Sequence, residues 1–346
     1  MALVKKLSAR LQNHPKRIVY PDGEDLRVIR AARQFATRKL GVPILLGNKE
    51  KIIEIASANQ IRTDGFKIIN PPLADDFKSL AKLMGGLPQF KEFDAESIEN
   101  MAAQPLYFAL LMLATGRCDA MVTGATSATS SSLRPIFQII SKQKGISTVS
   151  SMMVVSTGFE NLGINGDLFL SDCGVVAEPN EKELCDIAIT TAMLVNQFTL
   201  QTPKVAMLSY VSKSPNPKSA SVLKMRAATA LVHEKIVSEN LKFEVDGELQ
   251  VDTALRPEVA LQKGISSSVA GRANVLIFPD LNAGNITSKM LQITSADVRC
   301  YGYILTGLTK PVGEISRGAT ESDIFGTSVI VAAQAVDRRF LSLEEQ

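Results

Sequence analysis

Apolar positions along this chain follow two rhythms that alternate from end to end. One is a short, unalternating β-rich run; the other is a helical spacing of apolar residues. The run "KRIVYPDG" (16–23) predicts a strand ending in a turn, and "EDLRVIRAARQFATR" after it predicts a helix. "VPILLGN" (42–48) is a second strand, and "DAMVTG" (119–124), "KVAMLSY" (204–210), "RANVLIFPD" (272–280) and "CYGYILTG" (300–307) extend the series. Strands without alternation are apolar on both faces, so helices must cover both sides of a mainly parallel sheet. The fold class is α/β. Between 150 and 200 the rhythm changes: "STVSSMMVVS" and "GDLFLSDCGVV" read as strands joined by a loop rather than a helix. That change marks the entry to a second α/β domain, with no Pro- or Ser-rich linker before it.

In sheets of this kind ligands sit beyond the carboxyl ends of the strands, where loops lead into helices. Four strands here end in small polar residues: "MVTGATSATSSSLRP", "LSYVSKSPNPKS", "FPDLNAGNITSK" and "LTGLTKPVGEISRG". One such loop is what turn chemistry produces by itself. Four of them suggest that backbone N–H groups converge on something negative. The binding candidates are Thr126, Ser127 and Arg134 on the first, Ser212 and Lys213 on the second, Asn282, Asn285 and Lys289 on the third, and Lys310 on the fourth. For Asp280, Asn282 and Asn285 the plainer reading is a set of turn and cap residues.

The segment 309–326, "TKPVGEISRGATESDIFG", is the most pointed of these. Pro311 stops the preceding element, and Gly318 offers a backbone conformation that other residues resist. Thr320 and Asp323 have the spacing of a capping box with Asp in place of Glu, ahead of the apolar helical face of "IFGTSVIVAAQAV". Asp323 thus falls in the first helical turn, with Ser316 and Arg317 in the loop before it. A helix start favours negative charge and exposes unpaired N–H donors, and an Arg there grips phosphate with two parallel hydrogen bonds. The plainer reading is that Asp323 only caps the helix and Arg317 only pairs with it.

Bulk composition narrows the classes. The 346 residues are 45% hydrophobic and 21% charged, with a net charge of +3 from 38 basic and 35 acidic residues. That is an ordinary globular balance, against a broad basic face for nucleic acid. Absence of Trp argues against a base-stacking platform. Cys118, Cys173, Cys185 and Cys300 are scattered and only two histidines are present, against a zinc site and in keeping with a reduced, cytoplasmic protein. The start, "MALVKKLSARLQNHPKR", has helical apolar spacing without the core of a signal peptide; its basic residues leave a transit peptide as the lesser alternative. No apolar run reaches bilayer-spanning length. Three acids in "DGELQVDTAL" (Asp246, Glu248, Asp252) have metal-like spacing but no accompanying His, and no metal is expected.

From Pro21 to the final helix the chain resembles the phosphate acetyltransferase (phosphotransacetylase) and phosphate butyryltransferase family. The resemblance is carried by "YPDGEDLR", "DAMVTGA…LRP", "DGELQVD", "PDLNAGNI" and "KPVGEISRGATESDI", in the family's order. It implies two three-layer α/β domains in an isocitrate/isopropylmalate dehydrogenase-like architecture. The first comprises 1–146 plus 306–346 and the second 147–305, with the site in the cleft between them. It also implies a homodimer, coenzyme A as substrate rather than a prosthetic group, and the reaction acetyl-CoA + phosphate = acetyl phosphate + CoA. Ser316, Arg317 and Asp323 match the family's catalytic motif, and Arg134 matches a basic residue lining its cleft.

The implied roles are chemically consistent. A thiol of pKa about 8.5 is mostly protonated at neutral pH, so Asp323 would serve as general base for its attack on the acyl phosphate. Ser316 would donate to the oxyanion or the thiol, and Arg317 would hold the phosphate. Departures from the family pattern concern the acyl and coenzyme A ends. "GLPQFKEFD" (86–94) lacks the family's arginine, with Lys82 or Lys91 as substitutes. Ser130, Ser131 and Ser132 stand where an acid commonly precedes "LRP", and Ser288 stands where a tyrosine is often found. The alternatives are a butyryltransferase, a non-catalytic acyl-CoA sensor, and a nicotinamide-dependent dehydrogenase of related architecture. Against the dehydrogenase, no G-x-G-x-x-G follows a strand.

Overall fold

The computed structural model describes residues 2–294 and 297–337. In chain order the first elements are α1 (Ala2–Asn13), β1 (Lys16–Tyr20), α2 (Leu26–Thr37), β2 (Gly41–Leu46), α3 (Lys49–Ala58), β3 (Lys67–Ile69), α4 (Phe77–Gly86), α5 (Ala95–Ala102), α6 (Pro105–Ala114), β4 (Ala120–Thr123) and α7 (Thr129–Ile139). There follow β5 (Ser150–Ser156), β6 (Asp167–Ser171), α8 (Glu181–Thr199), β7 (Lys204–Leu208), α9 (Ala220–Ser238), β8 (Glu244–Leu249), α10 (Val251–Leu255), α11 (Pro257–Gln262), β9 (Val275–Ile277), α12 (Leu281–Thr294) and β10 (Arg299–Thr306). β11 (Val312–Glu314) and α13 (Glu321–Gln334) close the described chain. Among the described residues the chain divides into two compact units, 6–142 with 308–337 and 2–5 with 143–307.

In the unit that holds 6–142, the strand order is β3-β2-β1-β4-β11, and every pair in it is parallel. Ile18, Val19 and Tyr20 of β1 have no solvent exposure, which is why the run lacks alternation. Helix α2 turns Val28, Ile29, Ala31, Ala32 and Phe35 inward. Helix α13 is buried from Ile324 to Gln334, so it crosses the interior of this unit rather than its surface. The Tyr20 hydroxyl donates to Ser328 Oγ at 2.9 Å, fastening β1 to α13, and burial pushes its phenol well up. Strand β11 admits α13 closely because Gly313 has no Cβ; one there would lie 2.8 Å from Val331 Cγ2.

The unit that holds 143–307 is ordered β10-β5-β6-β9-β7-β8. β5 is antiparallel to both β6 and β10, whereas β6-β9, β9-β7 and β7-β8 are parallel. The antiparallel part follows from the loop between β5 and β6, since only a helical crossover would make neighbours parallel. A capping box starts α8, with Asn180 accepting from Lys182 and Glu183 N–H groups and Glu183 returning to Asn180 N at 2.8 Å. Among the described residues no helix is long and apolar enough to cross a membrane.

Candidate active site

The β11–α13 connection is built on a close approach between two strands. β4 and β11 run parallel with Thr123 beside Glu314, and Ile315 N donates to Thr123 O at 2.8 Å. Gly124 leaves β4 with φ of 106°, and a Cβ on it would stand 2.2 Å from Ile315 O. Only glycine lets the two chains leave the sheet together. The loops that carry Thr126 and Ser127 on one side, and Ser316 and Arg317 on the other, therefore start side by side.

Thr320 caps α13 as the spacing predicts. Its N–H and Oγ1 both donate to Asp323 Oδ2, at 2.9 and 2.8 Å, and Asp323 N donates back to Thr320 Oγ1 at 3.2 Å. All of these bonds to the carboxylate fall on Oδ2; Oδ1 accepts none among the described residues. The Ser316 hydroxyl and the exposed Arg317 guanidinium likewise have no hydrogen-bond or ion-pair partner among the described residues. An Arg317–Asp323 pair, the plainer reading of this segment, does not form. Gly318 differs from expectation: its backbone is not left-handed, and a Cβ on it would meet nothing nearer than Ser316 Oγ at 3.9 Å. What glycine supplies there is space beside the serine hydroxyl.

Two side chains that follow β1, Asp22 in the turn and Arg27 in the first turn of α2, reach this region, and local sequence reading gave neither a role. Asp22 accepts from Gly124 N at 3.0 Å, Thr126 N at 3.2 Å and Thr123 Oγ1 at 3.3 Å, and the Thr126 hydroxyl donates to it as well. The Thr126 hydroxyl is thus engaged within the fold, while that of Ser127 has no partner among the described residues. Arg27 donates to Arg317 O at 2.7 Å, Ala319 O at 2.9 Å and Ala125 O at 2.9 Å, and is itself gripped by Asp25. A cavity of about 480 Å³ opens beside this turn, lined by Asp22, Asp25, Lys51, Pro105 and Thr126 among others.

Arg134 lies within α7 and not in a loop ahead of it, because the helix starts at Thr129, four residues earlier than "LRPIFQII" suggested. Its side chain is exposed and without a partner among the described residues. Lys310, half-buried just before β11, is also without one. Lys82 and Lys91 are both exposed.

The remaining candidates belong to the unit 143–307. Ser212 accepts from Gln250 N at 2.8 Å and donates to Thr253 Oγ1 at 3.1 Å. Lys213 binds Asp246 and donates to Gly247 O at 2.6 Å. The segment 279–289 is a helix rather than a ligand loop: α12 begins at Leu281, and Asp280 Oδ1 accepts from Ala283 N at 2.9 Å in the manner of a cap. Asn285 donates to Cys173 O at 3.1 Å and Tyr303 OH at 3.2 Å, holding α12 to its own sheet. Asn282 is exposed, and Lys289 lies 6.0 Å from the Tyr303 ring centroid and 3.5 Å from Gln292 Oε1. Ser288 is fully buried and donates to Asn285 O at 2.9 Å.

The three acids of "DGELQVDTAL" each answer a different cation. Asp246 faces Lys213, Asp252 lies 3.2 Å from Lys263, and the buried Glu248 accepts from Arg226 Nη2 at 2.7 Å and Nε at 3.1 Å. Burial alone would raise the Glu248 carboxyl, but Arg226 and the Ser214 N–H hold it below its ordinary value. Among the described residues no group of His, Cys, Asp and Glu is placed to hold a metal ion. All four cysteines are buried and outside any disulfide; burial pushes the Cys118 thiol up to about 12 and the Cys185 thiol up to about 11. Neither is a thiolate at neutral pH.

A model of the family described as phosphate acetyl/butaryl transferase matches residues 2–332. The phosphate acetyltransferase of Acetivibrio thermocellus is 37% identical over 335 residues, 97% of this chain and 98% of that protein. Among solved structures, the EutD phosphotransacetylase from Staphylococcus aureus aligns with a TM-score of 0.86 at 32% identity, covering 96% of this chain and 98% of its own. A phosphotransacetylase from Streptococcus pyogenes gives 0.85 at 34% identity, over 97% of this chain and 98% of that one. The family's match runs through both units and through the loop that leaves Ser316, Arg317 and an oxygen of Asp323 unengaged, and the chain belongs to the phosphate acetyl/butaryl transferase family.

Proposed function

We propose that this protein reversibly transfers an acetyl group between coenzyme A and inorganic phosphate, with Ser316, Arg317 and Asp323 as the reacting set. In the direction of acetyl-CoA synthesis, Asp323 Oδ1 takes the thiol proton as sulfur attacks the acetyl carbonyl. The tetrahedral oxyanion accepts a hydrogen bond from Ser316. The intermediate collapses by breaking the carbon–oxygen bond to phosphate, which leaves in the grip of Arg317. No acyl-enzyme is required, in keeping with four buried cysteines that lie outside the segment 309–326. One well-placed donor to the oxyanion contributes about 3 kcal/mol, and joint positioning of the two substrates contributes more.

The observation that carries this reading is a contrast within one loop. Its backbone is fixed at Arg317 O, Ala319 O and the Thr320–Asp323 cap, while the groups that would meet substrate have no internal partner among the described residues. Arg134, Ser127 and Lys310 extend that set toward an anionic substrate in the same unit. Ser212, Lys213, Asn282, Asn285 and Lys289 are proposed for the remainder of coenzyme A, and of these Asn282 is the least committed to internal contacts. The test is acetyl phosphate formation by purified protein from acetyl-CoA and phosphate, with butyryl-CoA alongside. Arg317→Ala is expected to lose at least tenfold while still folding; full rate in that variant removes the site assignment.

The same reading includes a cytoplasmic homodimer. Four buried cysteines outside any disulfide support a reducing compartment. Ile286, Met290 and Ile293, exposed at helical spacing on α12, support self-association. Sedimentation of the purified protein tests the dimer; a monomer at all concentrations would remove it.

A further inference from the structure

Arg27 lies one residue inside α2, and its side chain has five N–H donors in a rigid planar fork. All five are engaged. Nε and one Nη2 hydrogen bond Asp25, at 3.1 and 2.8 Å; the other Nη2 hydrogen goes to Ala125 O at 2.9 Å; Nη1 spans Arg317 O at 2.7 Å and Ala319 O at 2.9 Å. Asp25 is anchored in turn, because it caps α2 by accepting from Arg27 N at 2.8 Å.

We propose that Arg27 is a positioning residue for acyl transfer: it sets the spacing of the loops after β4 and β11, and through Arg317 O and Ala319 O the direction of the Ser316 and Arg317 side chains. This inference rests on the reading of the Ser316–Asp323 loop as the reaction site. The two carbonyls held by Nη1 flank Gly318, the residue with most conformational freedom in the loop. A group that fixes both fixes the turn between them. Ala125 immediately precedes Thr126, whose N–H and hydroxyl are held by Asp22, so the opposite loop is clamped from the same turn. A guanidinium with every donor satisfied by backbone and carboxylate is not placed to bind substrate. Its effect on rate must pass through the loops, where a misplacement of about 1 Å costs on the order of 10²-fold.

Lysine cannot reproduce the fork, having three donors on one point charge. Arg27→Lys is therefore expected to lower kcat about 10–100-fold in acetyl phosphate formation, with cooperative melting retained. The decisive measurement is the same substitution in an Arg317→Ala background. If Arg27 acts through the Arg317 loop, Arg27→Lys there costs less than about threefold. An equal fold-loss in both backgrounds, or a wild-type kcat in Arg27→Lys, overturns the proposal. Should Arg27→Lys fail to fold, Asp25→Asn keeps the helix cap and weakens only the anchor. Its kcat loss must then also vanish in the Arg317→Ala background, and a loss that persists there overturns the proposal. A full rate in Arg317→Ala alone is a different failure, since it removes the site itself and with it this inference.

Discussion

Asp323 serves two purposes with two oxygens, and one substitution separates them. In Asp323→Asn the amide oxygen can take the place of Oδ2 and keep both bonds from Thr320, whose donors lie at 2.9 and 2.8 Å. The cap survives; what is lost from stability is a charge near a helix N-terminus, about 0.3–1 kcal/mol. For a unit of this size that corresponds to a melting shift of about 1–4 °C. Loss of a general base is larger, on the order of 10²–10⁴ in rate, or about 3–5 kcal/mol. Thr320→Val makes the opposite change. It removes a capping hydroxyl, costing about 1 kcal/mol of stability, while Thr320 N still holds Oδ2 in place. Initial rates with saturating acetyl phosphate and coenzyme A, beside thermal melts of the same preparations, give both quantities. The expected result is a crossed pattern, with Asp323→Asn slow but stable and Thr320→Val less stable but within a few-fold of wild-type rate. Equal rate losses in the two variants, or more than a tenth of wild-type rate in Asp323→Asn, would refute the division of labour between the oxygens.

Other outcomes follow from particular contacts. Gly124→Ala places a Cβ 2.2 Å from Ile315 O and is expected to lose both stability and activity, whereas Gly318→Ala, with 3.9 Å to its nearest neighbour, is expected to melt like wild type. Urea unfolding of the two variants makes that comparison. Tyr20→Phe removes the 2.9 Å bond to Ser328, which keeps its own acceptor in Ile324 O, so the expected cost is about 1 kcal/mol by the same method. Arg226→Met leaves Glu248 buried without its cation and is expected to cost about 3 kcal/mol, the low end for a broken buried pair because Arg226 is partly open to solvent. Glu248, whose folded value is depressed, contributes fully above its unfolded value of about 4.3 and loses that contribution as pH falls further. The stability gap between wild type and Glu248→Gln, measured in urea, is therefore expected to close below that pH; a constant gap down to pH 3 would contradict it.

Elements with a strong period were legible in the sequence because burial writes that period. β1, β4, β7 and β9 lie within runs read as strands, β2 and β10 each begin one residue ahead of theirs, and α13 starts at the Thr320 cap. Two segments read as loops are helical instead. In 279–289 the glycine and asparagines suggested a turn, yet Gly284 sits inside α12, where a Cβ would lie 2.1 Å from Asp172 O. The glycine answers a packing demand from a distant strand end, which no local pattern contains. In 129–132 the threonine and serines suggested a loop, but they form the first turn of α7. Asp22 and Arg27 stand within "YPDGEDLR", yet no local pattern gave either a role, for the same reason as Gly284: apart from the Arg27–Asp25 pair, their partners lie 98 to 292 residues away along the chain.

Arg27 and Arg317 show why residue type alone could not assign the site. Both lie beyond the carboxyl end of a parallel strand with a glycine close by in sequence, Arg27 in the first turn of α2 and Arg317 in the loop ahead of α13, and both have an acid two to six residues on or before them in sequence. Folding separates them by satisfaction. Arg27 has all five donors bound, two of them to carbonyls on either side of Gly318, so its charge is neutralised by Asp25 and its geometry is fixed. Arg317 contributes only its backbone oxygen to that arrangement and leaves its guanidinium unpartnered among the described residues. An anion arriving at this loop meets one arginine that has nothing left to donate and one that has everything. Binding energy for phosphate is available only from the second, because a donor already paired must break a bond to form another. The first arginine holds the second in place, and the two roles cannot be exchanged.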